Sequence, residues 1–217
     1  IPSIQSRLRH NILIMPKEIR EASGILIFGR RIKSLVFTTD LAIIKNCDAD
    51  AVFAVYPFTP QQSISDAIIR AAAVPVFTGI GGGITKGLRS VRLAKDAESQ
   101  GAFGVVLNAP TSNRDLKLVA TSIDIPVVIT VTGERSDIRD RLRHGASIIN
   151  VAAGERTPDI VRMIDAKYPD VPIIASGGNT PESIRETIRA GANAITYTPP
   201  TTKELFVDVM EQYREKY

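Results

Sequence analysis

Short apolar runs alternate along this chain with longer stretches that carry apolar residues at helical spacing. From residue 34 onward the runs fall at 35–38, 51–56, 74–78, 103–107, 126–130, 147–151, 172–176 and 194–198, each followed by a helix-length segment. The runs are nearly continuous, as in Val105-Val106-Leu107 and Val127-Val128-Ile129. Strands buried on both faces read this way. Regular alternation of such strands with amphipathic segments predicts a parallel sheet with crossover helices.

An internal repeat supports the count of eight. The third, fifth and seventh runs open with Val74-Pro75-Val76, Ile125-Pro126-Val127 and Val171-Pro172-Ile173. The fourth, sixth and eighth follow Gly101-Ala102, Gly145-Ala146 and Gly191-Ala192. Proline at the first residue of a strand sacrifices no needed hydrogen bond, and glycine at a helix end supplies a left-handed cap. Thr59-Pro60, Thr157-Pro158 and Thr180-Pro181 read as helix starts, with proline at the first helical position. Four copies of a two-strand, two-helix unit without atypical end repeats predict a closed α/β ring, a (β/α)₈ or TIM barrel, over residues 34–217. Residues 1–33 form a short N-terminal extension capping the barrel. Within it, 4–13 and 16–22 read as helical, and 24–29 as a short strand paired with the start of the first barrel strand.

Composition narrows the setting. A chain of 217 residues with 44% hydrophobic content suits one domain, and is compact for this fold. The net charge of +4 suits anionic small molecules, and no Lys/Arg block points to nucleic acid. The single cysteine, Cys47, excludes an internal disulfide and suits the cytoplasm; in 40–47 it reads as a helical, structural thiol. No apolar run approaches the ~20 residues that span a bilayer, so no membrane role is expected. A homodimer is the expected assembly, as the commonest oligomer.

The segment Ile174-Ala175-Ser176-Gly177-Gly178-Asn179-Thr180-Pro181-Glu182-Ser183-Ile184, with Arg189-Ala190-Gly191-Ala192-Asn193-Ala194-Ile195 after it, resembles the end of the ribulose-phosphate-binding barrel superfamily. The whole chain is also similar to an uncharacterised family of Gram-positive bacterial proteins labelled "hydrolase". The superfamily resemblance implies a phosphate site at Ser176, Gly177, Gly178 and Asn179. On the side of the eighth run, the hydroxyls of Thr198, Thr201 and Thr202 and the ammonium of Lys203 stand either in place of the family's usual amides or only as a helix cap. The mechanics agree: glycines let the backbone approach an oxyanion, and the free N–H groups of the next helix point at it. One departure is plain. The eighth run ends Thr198-Pro199-Pro200, and prolines have no N–H to offer.

In a barrel the chemistry sits where strands end. Those positions carry Thr38, Thr39, Asp40, Tyr56, Thr78, Asn108, Thr130, Thr132, Asn150, Glu155, Ser176 and Tyr197. Asp40 and Glu155 are the acid/base candidates, with Asn108, Asn150 and Tyr56 as orienting groups; Asp40 reads equally as a helix N-cap. His10 falls in the extension and His144 at a helix C-terminus on the opposite face, so no dedicated metal site is expected. Two acids without histidine suit zinc poorly and leave open only a loose Mg²⁺ site shared with phosphate. The run Gly79-Ile80-Gly81-Gly82-Gly83-Ile84-Thr85-Lys86 fits neither nucleotide-loop pattern. It reads as a lid, with Gly81, Gly82 and Gly83 flexible and Lys86 reaching an anion, or as an ordinary loop. Three functions stand open: a metal-independent, cofactor-free enzyme acting on a small phosphorylated metabolite, of isomerase, epimerase, lyase or hydrolase type; a non-catalytic phosphometabolite sensor; and an FMN-dependent oxidoreductase.

Overall fold

The computed structural model describes residue 2 and residues 12–216. A 3-10 helix at Lys17–Glu21 leads into a hairpin of β1 (Ile25–Ile27) and β2 (Arg30–Ile32). The barrel strands follow: β3 Ser34–Phe37, β4 Ala51–Ala54, β5 Val76–Gly81, β6 Gly104–Leu107, β7 Val127–Val131, β8 Ile148–Val151, β9 Ile173–Ser176 and β10 Ala194–Tyr197. They close into one ring in sequence order, β10 pairing with β3, and every pair is parallel. The eight strands lie where the eight apolar runs put them. The outer helices are α1 Leu41–Lys45, α2 Gln62–Ala71, α3 Leu88–Ser99, α4 Asn113–Ala120, α5 Ile138–Arg143, α6 Thr157–Lys167, α7 Pro181–Arg189 and α8 Thr202–Lys216.

The repeated prolines have one job three times over. Each lies just before its strand, and its carbonyl accepts a ladder bond from a neighbour: Val52 N to Pro75 O at 2.8 Å, Val105 N to Pro126 O at 3.0 Å, Ile149 N to Pro172 O at 3.0 Å. The missing N–H is not called on. Gly101, Gly145 and Gly191 have φ of 92°, 97° and 116°, the left-handed turn that each helix end needs.

Side chains alternate between the barrel interior and the helices. Leu35, Ala51, Phe53, Phe77, Val106, Val128, Ile148, Ile174 and Ala194 fill the inside together with Ile25, Ile27 and Ile32 of the hairpin. Five of the seven phenylalanines form a column through it: Phe28, Phe103, Phe77, Phe53 and Phe37, with successive ring centroids 5.3 to 6.5 Å apart. Such contacts add aromatic edge and face attraction to plain area burial.

Several local expectations are corrected. The strand at 24–29 pairs antiparallel with Arg30–Ile32, not with the first barrel strand. Of the helix expected at 4–13, residues 4–11 lie outside the described residues. Leu13 bridges Cys47 instead of continuing a helix. Helix α1 ends at Lys45, which leaves Cys47 half-buried beside that bridge. Helix α2 starts at Gln62 rather than at Thr59-Pro60, because Tyr56 Oη accepts from Gln61 N at 2.9 Å and takes up a free helix-start donor.

Candidate functional site

Parity along parallel strands decides what faces the mouth. Two residues beyond each interior apolar residue, the inward positions at the C-terminal end are Phe37 on β3, Val55 after β4, Gly79 on β5, Asn108 after β6, Thr130 on β7, Asn150 on β8, Ser176 on β9 and Thr196 on β10. One side of the mouth is thus apolar and the other is an arc of five neutral polar side chains. Asn150 and Thr196 are buried, at 4% and 8% exposure. Asn150 Nδ2 donates to Thr130 Oγ1 at 3.2 Å. Asn150 Oδ1 is buried and has no partner among the described residues. Thr196 Oγ1 lies 3.3 Å from Ala175 O and 3.4 Å from Ser176 Oγ.

The glycine turn begins directly after Ser176. Gly177 is buried, and a side chain there would meet Ile195 at 2.7 Å. Gly178 has φ of +74° and backs onto Ser183. Thr180 and Ser183 form a reciprocal capping box on α7. That box consumes the amides of Thr180 and Ser183. The Gly177 N–H continues the β9–β10 ladder toward Thr196, while those of Gly178 and Asn179 donate to nothing among the described residues.

The other half of the expected phosphate site is differently engaged. Thr201 caps α8: its N and Oγ1 donate to Glu204 Oε2 at 2.7 and 2.8 Å. These bonds hold the Glu204 carboxyl below its ordinary pKa. Thr202 Oγ1 donates to Asp40 Oδ2. Two carboxylates therefore occupy donors that a phosphate would have used. Thr198 and Lys203 remain exposed there.

Asp40 adopts the capping alternative. Its Oδ1 accepts from Ala42 N at 2.8 Å and from Ile43 N at 3.3 Å. The Thr202 hydroxyl and these two amides keep its pKa below the usual carboxylate value. A carboxylate held ionised in this way is a weak base near neutrality. Glu155 is exposed on the 3-10 turn Gly154–Arg156 beyond β8.

Two strand-end candidates face away from the mouth. Thr78 bonds Ser65 of α2 at 3.0 Å in the outer layer. Tyr197 packs among outward-facing core side chains. Tyr56, Asn108, Gly81 and Gly82 do come together, around a small cavity of about 130 Å³. The glycine run is packed at Gly81 and Gly82 and exposed at Gly83, Ile84 and Lys86. Gly82 N donates to Thr85 O at 2.9 Å, Asn108 N donates to Gly81 O at 3.0 Å, and a side chain on Gly82 would strike Asn108 at 2.5 Å. Lys86 lies on the outer rim, in a cavity shared with Arg114 and Asp115. His144 caps α5, its Nδ1 2.7 Å from Asp140 O. Burial raises the Cys47 thiol pKa, which disfavours the reactive thiolate. Thr196, which joins the arc, was missed as a candidate. Strand parity from Ala194 would have found it.

No family model matches the chain. Inosine-5'-monophosphate dehydrogenase of Chlorobaculum tepidum is 30% identical over 103 residues, covering 46% of this chain and 17% of that protein. The catalytic subunit of dihydroorotate dehydrogenase B (NAD(+)) of Cutibacterium acnes is 29% identical over 140 residues, 63% of this chain and 38% of that one. The chain spans well under half the length of these curated relatives. Among solved structures, phosphonopyruvate hydrolase in complex with oxalate and Mg++ superposes with a TM-score of 0.65 at 13% identity, covering 85% of this chain and 82% of that one. For 2,3-dimethylmalate lyase, of the PEP mutase/isocitrate lyase superfamily, the values are 0.65, 11%, 92% and 82%. The chain is a TIM barrel. These structural neighbours are barrel enzymes of small metabolites, and at this identity the likeness is one of fold.

No helix among the described residues is long and apolar enough to cross a membrane. No group of three or more His, Cys, Asp or Glu among them stands where it would hold a metal ion.

Proposed function

We propose that this barrel is an enzyme that acts on a small phosphorylated metabolite at its C-terminal mouth. The observation that carries the reading is the buried, unpartnered Oδ1 of Asn150, set in the polar arc beside a turn with two free amides. A buried acceptor left without a donor costs about 1–3 kcal/mol. A ligand hydroxyl or amine placed in the mouth would satisfy it. The amides of Gly178 and Asn179 would take the phosphoryl oxygens, as helix-start turns do, with Gly177 leaving the backbone room to turn there. The resemblance to ribulose-phosphate-binding barrels supports the same placement. Asn108, Ser176 and Thr196 would bind the polar side of the substrate, and Phe37 and Val55 its apolar side. Proton transfer would fall to Glu155 or Tyr56 at the rim, because Asp40 is engaged as a cap.

A sensor is the second reading, favoured by one observation: the arc itself contains no titratable group. Calorimetric titration of the purified protein with a panel of sugar phosphates, followed by product analysis of each mixture, tests both. Binding with turnover supports the enzyme. Saturable binding without turnover across the panel turns the reading to the sensor. No binding by wild type, or unchanged affinity in Asn150→Leu, removes the mouth as the site. A yellow flavin spectrum on purification would overturn both in favour of an oxidoreductase.

A further inference from the structure

Beside the mouth, a second cavity of about 820 Å³ opens between the loops that follow β6, β7 and β8. It falls within the ~300–1,000 Å³ typical of metabolite sites. Three guanidinium groups line it: Arg135, Arg141 and Arg156. Arg141 is the built element. It is half-buried on α5, and its two terminal nitrogens donate to Thr111 O at 2.6 Å, Asn113 Oδ1 at 2.7 Å and Ala109 O at 3.0 Å. All three acceptors are neutral. Arg141 makes no ion pair among the described residues. Its loop contacts hold the group in place without cancelling its charge, and burial opposes that charge by lowering the pKa, with Asp140 partly offsetting. Asp140, whose carboxylate accepts from Asn113 Nδ2, is the nearby negative charge, but it makes no direct ion pair with Arg141. A partly buried guanidinium without a direct ion pair binds an anion that reaches it through charge-assisted hydrogen bonds.

A second observation points the same way. Thr111 is 94% buried and lines this cavity, and its Oγ1 has no partner among the described residues. The two acidic groups in the lining are already engaged or displaceable. Asp137 caps α5 through Asp140 N at 3.0 Å, and Glu134 meets Arg156 only at 3.8 Å, both side chains being exposed. An anion would exchange the loose Glu134 contact for a closer one.

We infer that this cavity is a second anion subsite, recognising a phosphoryl or carboxylate group through Arg141, Arg156, Arg135 and the Thr111 hydroxyl. The subsite adjoins the mouth: Thr130 belongs to the polar arc and Thr132, two residues on, lines the cavity. Strand β8, with Asn150 at its end, separates the subsite from the glycine turn after β9. The substrate class that fits both is a metabolite with an anionic group at each end, such as a bisphosphate or a phosphorylated carboxylic acid. This last step rests on the mouth reading above; the subsite itself does not.

Amide-resolved NMR of the whole chain, titrated with inorganic phosphate at constant ionic strength, separates the two. Shifts at Thr111, Ser112 and Gly133 report the subsite, and shifts at Gly178 and Asn179 report the mouth. Both sets are expected to move. In Arg135→Gln/Arg156→Gln, whose replaced side chains are exposed, the subsite shifts should need at least about tenfold more phosphate while the mouth shifts persist; Arg141→Lys should act similarly. A small bisphosphate should bind wild type at least about tenfold more tightly than its monophosphate, through the linked second contact, and that ratio should approach one in the double variant. Shifts confined to Gly178 and Asn179, or unaltered subsite shifts in the arginine variants, overturn the subsite. Shifts confined to the cavity overturn the mouth reading and leave the subsite standing. Equal affinity for bisphosphate and monophosphate overturns the two-anion substrate.

Discussion

Asn150 donates to Thr130 across β8 and β7, and in doing so turns its own carbonyl oxygen into a buried site with no donor. Replacing Asn150 with leucine removes the orphan acceptor together with the 3.2 Å bond. The two effects oppose each other, so stability should change by less than about 1 kcal/mol. Affinity for a phosphorylated ligand should fall at least about tenfold. Urea denaturation and calorimetry together check this. A loss of 2 kcal/mol or more would show that the amide serves the fold rather than a ligand.

Asp40 and Thr202 join the start of α1 to the start of α8. Loss of an N-cap carboxylate costs about 0.5–2 kcal/mol, and Asp40→Ala should cost that much near neutrality. The folded-state pKa is depressed. The contribution is therefore complete above the unfolded value of about 3.9 and is lost as pH falls through the folded one. Wild type and variant should converge in acid. If Asp40 acted as the catalytic base, Asp40→Asn would lose at least about a hundredfold in turnover; as a cap, it should retain most of it.

At Gly178 a substitution meets two separate obstacles. The left-handed backbone costs a non-glycine residue about 1–3 kcal/mol, and a new side chain would lie 2.5 Å from Ser183 Oγ. Gly178→Ala should be destabilised by at least that strain. Measured against Ser183→Ala, which itself loses the capping bonds to Thr180, the added cost of Gly178→Ala should shrink by most of the steric part and keep the backbone part. Thermal melts of the single and double variants resolve the two. Reduced affinity in Gly178→Val would for this reason report a distorted turn as well as a blocked site.

Thr78 and Ser65 share one buried hydrogen bond between β5 and α2. Thr78→Val leaves the serine hydroxyl stranded and should cost about 1–3 kcal/mol. Thr78→Val with Ser65→Ala should recover most of that loss. Neither variant should alter ligand affinity, because the pair faces the helices. A change in affinity at unchanged stability would contradict the assignment of Thr78 to the outer layer.

Much of the barrel was legible because its signals are local. A proline before a strand, a glycine after a helix and a continuous apolar run each reflect a backbone requirement at one position, and the requirement recurs in every unit. The candidate site was legible in part for the same reason. Asn108, Thr130, Asn150 and Ser176 stand at strand ends, and parallel pairing brings all strand ends to one face. Thr78 and Tyr197 also stand at strand ends but point outward. Only the register against the interior layer, set by Leu35, Phe77 and Ile148, separates the two groups.

What the sequence alone determined was the count, order and direction of the eight barrel strands, since these follow from periodicity and turn chemistry; the N-terminal hairpin, which repeats no such unit, was not among them. Tertiary structure decided which polar groups are spent and which are free. Asp40 reads in sequence either as an acid/base or as a cap, and the structure commits it to capping α1 and to a distant partner, Thr202 of α8; Thr201 is spent on Glu204 within the first turn of its own helix. Arg141 looks like a surface residue of a short helix, yet packing holds it over a loop from another unit, bonded to neutral acceptors and in no direct ion pair. Burial and the satisfaction of hydrogen bonds are properties of neighbours distant in the chain, and no local pattern of residues encodes them.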